Sequence, residues 1–301
     1  MNSELNFKLP SEISIPQVIA EIGCNHKGDI NIAKQLIVVA KTCGATVAKF
    51  QKRNSRELLT EEQYNAPYDN RNSYGTTYGE HREFLEFSAE THKELKTYCE
   101  EHEIVYATSV WDLISAKEIA ALEPSLIKIP SACNNHLEML SYLRDNYAGE
   151  VHISTGMSTP EEIDAAIDVY KTCPERVILY ACTSGYPVDF KDVCMLEILK
   201  LRTKYQDTGR VKSIGFSGHH NGIAIDTFSA LLGVSYIERH FTLDRSWKGS
   251  DHAASLEPGG LRRLTRDIEH IAESWTYKQE DILPVEIEQR KKLKFRKVPV
   301  A

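Results

Sequence analysis

The chain has 301 residues and a formal net charge of −7, with 42% hydrophobic and 26% charged residues. This is the composition of a soluble globular protein that is long enough for one large domain. No apolar run approaches the roughly 20 residues of a membrane span, and the start at Met1 does not resemble a signal peptide. The acidic balance argues against nucleic acid as the main partner. Seven scattered cysteines, none in a Cys-x-x-Cys pair, favour free thiols in a reducing cytoplasm.

Short apolar runs alternate with longer amphipathic runs along most of the chain. The apolar runs predict strands over residues 15–23, 45–50, 104–109, 126–129, 151–154, 177–181, 211–216 and 234–240. The amphipathic runs predict helices over residues 29–43, 89–102, 111–121, 136–146, 160–172, 191–204, 222–232 and 258–276. An unbroken alternation indicates a parallel sheet, and eight units in roughly 250 residues predict a (β/α)8 TIM barrel. A doubly wound sheet is the competing fold, but no Gly-x-Gly-x-x-Gly turn follows the first strand.

Two segments fall outside this alternation. A polar insert at residues 53–83 separates the second strand from its helix, and long inserts in a regular fold are usually functional. Residues 278–301 follow the last helix and carry a basic run at 290–297. We expect a catalytic barrel domain over residues 1–277 and a short, linker-like basic extension over 278–301. This extension is either a solvated helix or an arm that docks on a partner subunit.

Polar side chains occur at the C-terminal end of every predicted strand. In chain order they are Glu21, Lys49, Ser109, Lys128 with Ser131, Ser154, Ser184, Ser217 with His219, and Glu238 with His240. Barrel enzymes build their active sites from these strand ends, so we expect one site here. Lysine and serine suit an anion that carries phosphate and carboxylate groups, because lysine supplies charge and serine supplies short donors.

The last two strands bring histidine and glutamate to the same end. Side chains two apart on a strand share a face, so Glu238 and His240 point one way and Arg239 points the other. If these strands are parallel neighbours, His219 and His240 are close enough to bind one borderline divalent ion. Two structural histidines are the alternative. Glu21 and Glu238 are candidate acid–base groups, or they steady a lysine or a ligating histidine.

Eight motifs in a fixed order give the chain a resemblance to a known family. They lie at residues 19–26, 47–51, 77–82, 128–131, 154–157, 182–187, 215–219 and 237–241, and include Ala-Glu-Ile-Gly, Lys-Phe-Gln, Tyr-Gly-Glu-His-Arg, Ser-Thr-Gly-Met and Ile-Glu-Arg-His-Phe. With them the chain resembles the sialic acid synthase family, the N-acetylneuraminate synthases, which are barrel enzymes that condense phosphoenolpyruvate with an aldose. The resemblance covers residues 18 to 275.

The resemblance implies a role for each matched position. The phosphoenolpyruvate positions are Lys49, Ser109, Lys128, Ser131, Ser154, Ser184 and Ser217. The sugar positions are Asn25, Gln51, Tyr78, Tyr186 and Asp251. The metal ligands are His219 and His240, with Mn²⁺ as the usual ion and Mg²⁺ or Co²⁺ as alternatives. The catalytic residues are Glu21, Glu238, Lys49 and Lys128.

The resemblance also implies the reaction. The metal polarises the aldehyde of an open-chain sugar while C3 of the enolpyruvate attacks it. Water adds at C2 and phosphate leaves by C–O cleavage, which gives a 3-deoxy-2-ulosonic acid. We therefore expect phosphoenolpyruvate and an aldose as partners, the aldose being N-acetylmannosamine-like or another sugar, free or phosphorylated. We expect a homodimer as the assembly, and no interaction with nucleic acid or membrane.

Three departures from the family pattern affect the sugar site. The chain ends after residues 278–301, without the antifreeze-like domain that supplies an arginine to the partner's sugar site in the family. After Ser131, where the family has an acidic residue, this chain continues Ala-Cys-Asn-Asn. The usual Ser-Asp-His is Ser-Gly-His at 217–219, followed by the additional His220. We expect an intact phosphoenolpyruvate and metal half and an altered aldose half, in which Arg245 and Lys248 replace the missing arginine.

Two other functions fit the same residues. In a barrel aldolase, Lys128 would form a Schiff base with the substrate, although a pair of metal-binding histidines would then be superfluous. A non-catalytic subunit that binds sugar acids is suggested by the missing domain. Such a scaffold would not need two lysines and two histidines at its strand ends.

Overall fold

The computed structural model describes residues 14–295. Eight parallel strands form a closed barrel in which each strand pairs with the next along the chain and the eighth pairs with the first. The strands are β1 (Gln17–Gly23), β2 (Val47–Lys52), β3 (Val105–Val110), β4 (Leu126–Ile129), β5 (Glu150–Ser154), β6 (Val177–Cys182), β7 (Ser213–Ser217) and β8 (Tyr236–His240). The predicted (β/α)8 barrel is confirmed.

Helices surround this barrel. In chain order they are α1 (Ile30–Thr42), α2 (Ser55–Leu58), α3 (Glu61–Asn65), α4 (Tyr78–Leu85), α5 (Ala89–Glu101), α6 (Leu113–Ala120), α7 (Leu137–Asn146), α8 (Pro160–Asp168), α9 (Glu197–Leu201), α10 (Ala224–Leu231), α11 (Pro258–Ser274) and α12 (Pro284–Leu293). The helix predicted at 191–204 begins later than expected, at Glu197, and α9 passes into a π-helical segment at Arg202–Gln206. The other predicted helices are present between their strands.

Side chains along each strand point alternately outward and inward, so the barrel wall separates two apolar cores. Outward-facing residues such as Ala48, Phe50 and Ile127 are buried against the helices. Inward-facing residues form a second, smaller cluster inside the barrel, made of Ile19, Val47, Ala107, Leu126, Ile178, Tyr180 and Tyr236. We call this second cluster the barrel plug. It fills the half of the barrel near the N-terminal ends of the strands, so the polar strand ends lie above a packed apolar base.

Arg239 faces outward from β8, as the alternation predicts, and is 1% exposed. Its guanidinium forms an ion pair with the buried carboxylate of Asp226 on α10. It also donates hydrogen bonds to the carbonyls of Gly222, at 2.8 Å, and His220, at 2.7 Å. Arg239 therefore joins β8 to the segment between β7 and α10, on the side of the barrel wall away from the strand-end cavity.

The insert predicted at 53–83 contains α2, α3 and most of α4, which were not predicted. A capping box starts α4: the Thr77 hydroxyl accepts from the backbone N–H of Glu80, whose carboxylate accepts from the N–H of Thr77. At Gly79 a Cβ would lie 2.3 Å from the ring of Tyr64 on α3, so the two helices approach closely. This packing brings the insert back to the mouth of the barrel.

The segment after α11 has little contact with the barrel. Helix α12 has no buried residue, and the basic run predicted at 290–297 extends past residue 295, so its last two positions lie outside the described residues. None of the helices within residues 14–295 combines the length and apolar character required to cross a membrane. The proposed boundary at residue 277 stays a prediction.

Candidate active site

A cavity of about 330 Å³ opens at the C-terminal ends of the strands. It brings together the predicted residues Glu21, Lys49, Gln51, Ser109, Lys128, Ser131, Ser154, Ser184, Tyr186, Ser217, His219, Glu238, His240 and Asp251. These residues come from all eight strands or the loops that follow them. The alternation of strands and helices in the sequence therefore predicts that these strand-end residues converge. Parallel strands in a barrel direct their C-terminal ends to one side.

Two lysines and two glutamates form the floor of the cavity. Lys49 on β2 pairs with Glu21 on β1 and donates a hydrogen bond to the Ser109 hydroxyl at 2.7 Å. Lys128 on β4 donates to Glu238 Oε2 at 3.1 Å, and Lys49 Nζ lies 3.7 Å from the same oxygen. All four charged side chains are less than 10% exposed. The floor is thus a buried network of balanced charge.

Ion pairing and burial shift the pKa values of these groups in opposite directions. Burial favours neutral Lys49, but the carboxylates of Glu21 and Glu238 outweigh it and raise the pKa of Lys49. Burial also favours protonated Glu238, yet the charges of Lys128 and Lys49 hold its pKa well below the usual range. For Lys128 burial prevails over the attraction of Glu238, and its pKa is lowered. A buried network of this kind is typical of functional sites.

The Tyr180 ring of the barrel plug supports Lys128 from below. Lys128 Nζ lies 3.3 Å from the ring centroid, which is a cation–π contact. The Tyr180 hydroxyl is 2.8 Å from His152 Nδ1, so the ring is itself fixed in orientation. On the opposite side of the floor, the Ser217 hydroxyl donates to Glu238 Oε1 at 3.1 Å. These contacts set the position of both charged groups before any ligand binds.

The hydroxyls of Ser131 and Ser184 converge on Gly156, in the loop after β5. A Cβ at position 156 would lie 2.8 Å from Ser131 Oγ and 2.3 Å from Ser184 Oγ. Only glycine leaves room for both hydroxyls at this point. Ser154, at the end of β5, lines the same cavity. The loops after β4, β5 and β6 thereby present several short hydrogen-bond donors beside the lysines.

His219 and His240 lie next to each other above the floor, with ring centroids 5.5 Å apart. Thr183 O lies 3.0 Å from His219 Nδ1 and accepts a hydrogen bond, which requires the proton on Nδ1 and leaves the lone pair on Nε2. Burial, together with the charge of His240, lowers the pKa of His219 to about 3. Tyr186 packs against His219, with ring centroids 4.4 Å apart.

This pair fits a metal ion held by two imidazoles. A neutral His219 with a free Nε2 is a suitable ligand, and His240 Nδ1 is buried without a hydrogen-bond partner, 4.0 Å from Asp251 Oδ2. No group of three or more His, Cys, Asp or Glu side chains within residues 14–295 is arranged to hold a metal. An ion at this position would therefore need further ligands from water or substrate.

Two predicted sugar residues lie outside the cavity lining. Asn25 is 1% exposed, and its amide donates to Phe241 O at 2.8 Å and to Ser255 Oγ at 3.0 Å. It therefore ties the end of β1 to the loop after β8. The Tyr78 hydroxyl accepts hydrogen bonds from Arg82 at 2.9 and 3.0 Å. Its sugar-binding role stays a prediction, as does that of Asn25.

The two residues expected to replace the missing arginine also lie away from the cavity. Arg245 is directed at the carbonyl of Ala253, to which its Nε donates at 3.0 Å. Lys248 lies over the ring of Tyr74, 4.6 Å from the centroid. Neither side chain lines the cavity. The hypothesis that they supply the sugar site with positive charge has no support in this arrangement.

The cavity lining also includes Arg53 and Arg82, which sequence reasoning missed, and Trp111, for which packing and sugar contact were equally open. Lys49, Gln51 and Arg53 are two residues apart from one to the next, and this spacing predicts that their side chains share one face of the strand. Arg82 belongs to the motif at 77–82, but its position depends on how the insert folds. Ala132 is at the point where the family pattern has an acidic residue, and it contributes no charge to the lining.

The chain is similar to known proteins along most of its length. The model of the NeuB family matches residues 36–280. N-Acetylneuraminate-9-phosphate synthase of Homo sapiens is 36% identical over 276 residues, which cover 92% of this chain and 76% of that protein. N,N'-Diacetyllegionaminic acid synthase of Campylobacter jejuni is 33% identical and covers 84% of this chain and 75% of its own length.

A solved structure agrees with these sequence matches. The crystal structure of N-acetylneuraminic acid (sialic acid) synthetase from Leptospira borgpetersenii in complex with citrate superposes with a TM-score of 0.75 at 26% identity. The superposition covers 97% of this chain and 96% of that one. The predicted resemblance to sialic acid synthases is confirmed, and the chain belongs to the NeuB family.

Proposed function

We propose that this protein condenses phosphoenolpyruvate with an aldose and releases phosphate, producing a 3-deoxy-2-ulosonic acid. The observation that carries the proposal is the floor of the cavity, where Lys49 and Lys128 lie among hydroxyls and below a histidine pair. The names of the relatives describe synthases of nonulosonic acids and their phosphates. Membership of the NeuB family supports the same reaction class.

The floor residues suit the binding of the enolpyruvate. Its phosphate and carboxylate need cationic and hydroxyl partners, and Lys49, Lys128 and Ser109 supply them without a large rearrangement. The ion pairs with Glu21 and Glu238 hold both lysine side chains in position, and they raise the pKa of Lys49 despite its burial. When the anion binds, each lysine exchanges part of its contact with a glutamate for one with the ligand. Preorganised positive charge of this kind also stabilises a leaving phosphate.

A divalent cation fits above this anion, with His219 and His240 as its protein ligands. We propose Mn²⁺, with Co²⁺ as an alternative, because both ions accept imidazole as well as oxygen ligands. Mg²⁺ is the further alternative and would take most of its ligands from oxygen atoms of water and substrate. The chemistry that such an ion supplies is polarisation of the aldehyde oxygen of the sugar. Gln51, Tyr186 and Asp251 line the same part of the cavity and are proposed to orient the aldose.

Proton transfer in this scheme falls to the floor carboxylates. The attacking water at C2 must lose a proton, and the aldehyde oxygen must gain one. Glu238 is ionised, because Lys128 and Lys49 hold its pKa low. It becomes a stronger base when the two lysines turn from it towards the bound anion. Glu21 is fixed by Gln51, which donates to Glu21 Oε1 at 2.7 Å. Both are proposed as acid–base groups, since both line the cavity beside the lysines.

The assembly and compartment follow from the cysteines and from the C-terminal extension. All seven cysteines are free thiols, which suits a reducing cytoplasm. Helix α12 has no buried residue, which supports a boundary between the barrel domain of residues 1–277 and a basic extension. We propose a homodimer in which this extension, residues 278–301, contacts the second subunit. Sedimentation of the full chain and of a chain ending at residue 277 tests both the boundary and the dimer.

The test of the reaction is phosphate release from phosphoenolpyruvate, with Mn²⁺, across a panel of free and phosphorylated aldoses. We expect release with one sugar class, its loss with EDTA, and its loss in His219→Ala and His240→Ala. His220→Ala is the matched control, because that neighbouring histidine is buried beside Asp226 outside the cavity and should affect stability rather than metal binding. Phosphate release that survives EDTA and both substitutions would contradict the proposed role of the metal.

One observation favours a second function, a Schiff-base aldolase. Burial lowers the pKa of Lys128, and a neutral amine is what a Schiff base requires. Incubation with pyruvate and borohydride, followed by mass spectrometry, distinguishes the two reactions. A covalent adduct on Lys128 would support the aldolase, whereas a synthase yields no adduct and loses activity with a chelator.

A further inference from the structure

A chain of polar side chains runs through the apolar barrel plug below the cavity floor. His152 on β5 is the register partner of Lys128 on β4, and Glu150 lies two residues before His152 on the same inward face. Tyr180, on β6, contacts both Lys128 and His152. We call Tyr180, His152 and Glu150 the polar column. His152 and Tyr180 are 0% exposed, and polar groups buried in an apolar layer cost free energy unless they are hydrogen-bonded.

The hydrogen bonds of the polar column have one direction. Glu150 is ionised, because hydrogen bonds from His152, Lys212 and Tyr236 lower its pKa to about 2. An ionised carboxylate only accepts, so His152 Nε2, which lies 3.2 Å from Glu150 Oε2, carries the proton. Burial lowers the pKa of His152 to about 4, which leaves the ring neutral at neutral pH and its Nδ1 without a proton. The Tyr180 hydroxyl, 2.8 Å from Nδ1, is therefore the donor.

Lys128 lies at the top of the polar column and uses the face of the Tyr180 ring. Among the described residues, its Nζ donates to Glu238 Oε2 at 3.1 Å and lies 3.3 Å from the ring centroid of Tyr180. The negative face of an aromatic ring attracts a cation. Hydrogen bonds in a chain polarise one another, so a phenol that donates into a chain ending at a carboxylate has a more electron-rich ring. The polar column therefore strengthens the attraction between the ring and the ammonium group.

The barrel leaves room for this ring and fixes both ends of the polar column. Gly215 on β7 is the register partner of Tyr180, and a Cβ at position 215 would lie 2.6 Å from Tyr180 Cε1. Any larger residue there would displace the ring. At the other end, the Tyr236 hydroxyl donates to Glu150 Oε2 at 2.9 Å, and Lys212 forms an ion pair with the same carboxylate.

We propose that His152 and Glu150 are positioning residues for Lys128: through the Tyr180 hydroxyl they hold the ring face under the ammonium group and keep that face electron-rich. This inference rests on the proposed condensation, in which Lys128 binds phosphoenolpyruvate. The polar column transfers no proton to the lysine, because the Tyr180 hydroxyl donates to His152 while Lys128 contacts the ring face. Its effect is to favour the charged amine over the neutral one.

The test is the pH dependence of phosphoenolpyruvate binding, measured by calorimetry. Besides Tyr180, the groups that face Lys128 are Glu238 on β8, Lys49 on β2 and Cys182 on β6. Burial lowers the pKa of Lys128, whereas the pKa of Lys49 is raised despite burial. As the pH rises, Lys128 is therefore the first of the two lysines to lose its proton, and the affinity for the anion falls with it.

The variants of the polar column should move this alkaline limb. In Tyr180→Leu we expect it to lie about one pH unit lower, because a desolvated cation–π contact is worth about that much. His152→Leu should move it in the same direction by a smaller amount. His152→Gln, whose amide offers an acceptor to Tyr180 and a donor to Glu150, should recover part of the wild-type profile. A merely structural role would change the free energy of unfolding and leave the limb in place.

Tyr170→Phe is the matched control. Tyr170 is also 0% exposed, and its hydroxyl donates to Leu140 O at 3.0 Å in the outer core. Loss of that hydroxyl should lower stability in urea denaturation without moving the alkaline limb. Tyr180→Phe keeps the ring but removes the donor, so its limb should move about as far as that of His152→Leu. If His152→Leu does not fold, Tyr180→Phe and His152→Gln provide the same comparison.

The outcomes separate this inference from the proposed reaction. A limb that stays in place in His152→Leu and Tyr180→Phe would overturn the inference and leave the condensation standing. A limb that moves to higher pH would also overturn it, because the polar column would then favour the neutral amine. If phosphoenolpyruvate does not bind the wild-type protein, the proposed function fails. Labelling of Lys128 with acetic anhydride across pH, followed by mass spectrometry, then decides the inference: a midpoint that falls in Tyr180→Phe supports it, and an unchanged midpoint overturns it.

Discussion

Lys128 and Glu238 meet across the width of the barrel, with Nζ and Oε2 3.1 Å apart. Their strands, β4 and β8, lie four places apart in a closed ring of eight and are therefore opposite each other. The lysine is 2% exposed and the glutamate 7%. This pair crosses the interior of the barrel and forms the centre of the cavity floor.

Loss of either partner leaves an uncompensated charge in the floor. We expect Lys128→Met to lower the free energy of unfolding by about 3 kcal/mol, a typical cost of breaking a buried pair. Phosphoenolpyruvate binding, measured by calorimetry, should be lost as well. The double variant Lys128→Met with Glu238→Gln should be more stable than the sum of the single changes predicts. Strict additivity in urea denaturation would show that the two groups are not coupled.

The packing around Gly156 predicts a change in substrate affinity. The added methyl group of Gly156→Ala would displace the Ser131 and Ser184 hydroxyls, which lie within 3 Å of its position. We expect the KM for phosphoenolpyruvate to rise roughly tenfold, since overpacking of this kind costs about 1–3 kcal/mol. Gly259→Ala is the control, because a Cβ at that position on α11 meets no atom within 4 Å beyond its chain neighbours and the backbone of its own helix. An unchanged KM in Gly156→Ala would mean that the two serines do not contact this substrate.

The sequence alone was sufficient to predict the barrel and the two lysines and two glutamates of the cavity floor. Strand periodicity places Lys49 and Lys128 at strand ends, and closure of the sheet then brings those ends together without further information. The helices of the insert could not be predicted in this way. They have four to eight residues, so their stability comes from caps and from contacts such as Gly79 with Tyr64 rather than from a repeated apolar pattern.

The residues at the rim of the cavity were also harder to predict, because their positions depend on tertiary contacts rather than on a repeated apolar pattern. Arg82 reaches the cavity only because the insert folds back over the mouth, and this depends on tertiary contacts. Asn25 belongs to a motif that ends β1, but its amide donates hydrogen bonds to Phe241 O and Ser255 Oγ, which are far away in sequence. A motif match does not reveal whether a polar side chain faces the cavity or the loop behind it.

The buried pair of Arg239 and Asp226 predicts a loss of stability without a change in chemistry. In Asp226→Asn the guanidinium stays buried without a counter-charge, so we expect the free energy of unfolding to fall by about 3 kcal/mol. The affinity of the folded protein for phosphoenolpyruvate should be unaffected, because the pair lies outside the barrel wall. Loss of binding at a temperature where the variant is fully folded would contradict this separation.

Buried histidines predict a fall in stability at acid pH. Burial lowers the pKa of His92 from 6.5 to about 3, and that of His152 from 6.5 to about 4. Below pH 6.5 the unfolded chain binds protons that the native state does not, so the free energy of unfolding decreases as the pH falls from 6.5 towards 4. Urea denaturation at several pH values measures this slope.

A substitution isolates the contribution of one histidine. In His92→Gln the slope between pH 6.5 and 4 should decrease by the equivalent of about one proton, whatever the change in absolute stability. His270→Gln, on the exposed surface of α11, is the matched control. A slope that is the same in both variants would show that His92 takes up its proton equally in the folded and unfolded states.

The barrel plug has a kinetic consequence. Ile19, Val47, Leu126 and the other members of this apolar layer close the interior below Lys128, so in the described part of the chain the floor is reached from the mouth. A ligand at the floor must therefore pass the rim residues before a second ligand covers it. For the proposed condensation we therefore expect phosphoenolpyruvate to bind at the floor before the aldose covers it, an order of substrate binding set by the closed base of the barrel.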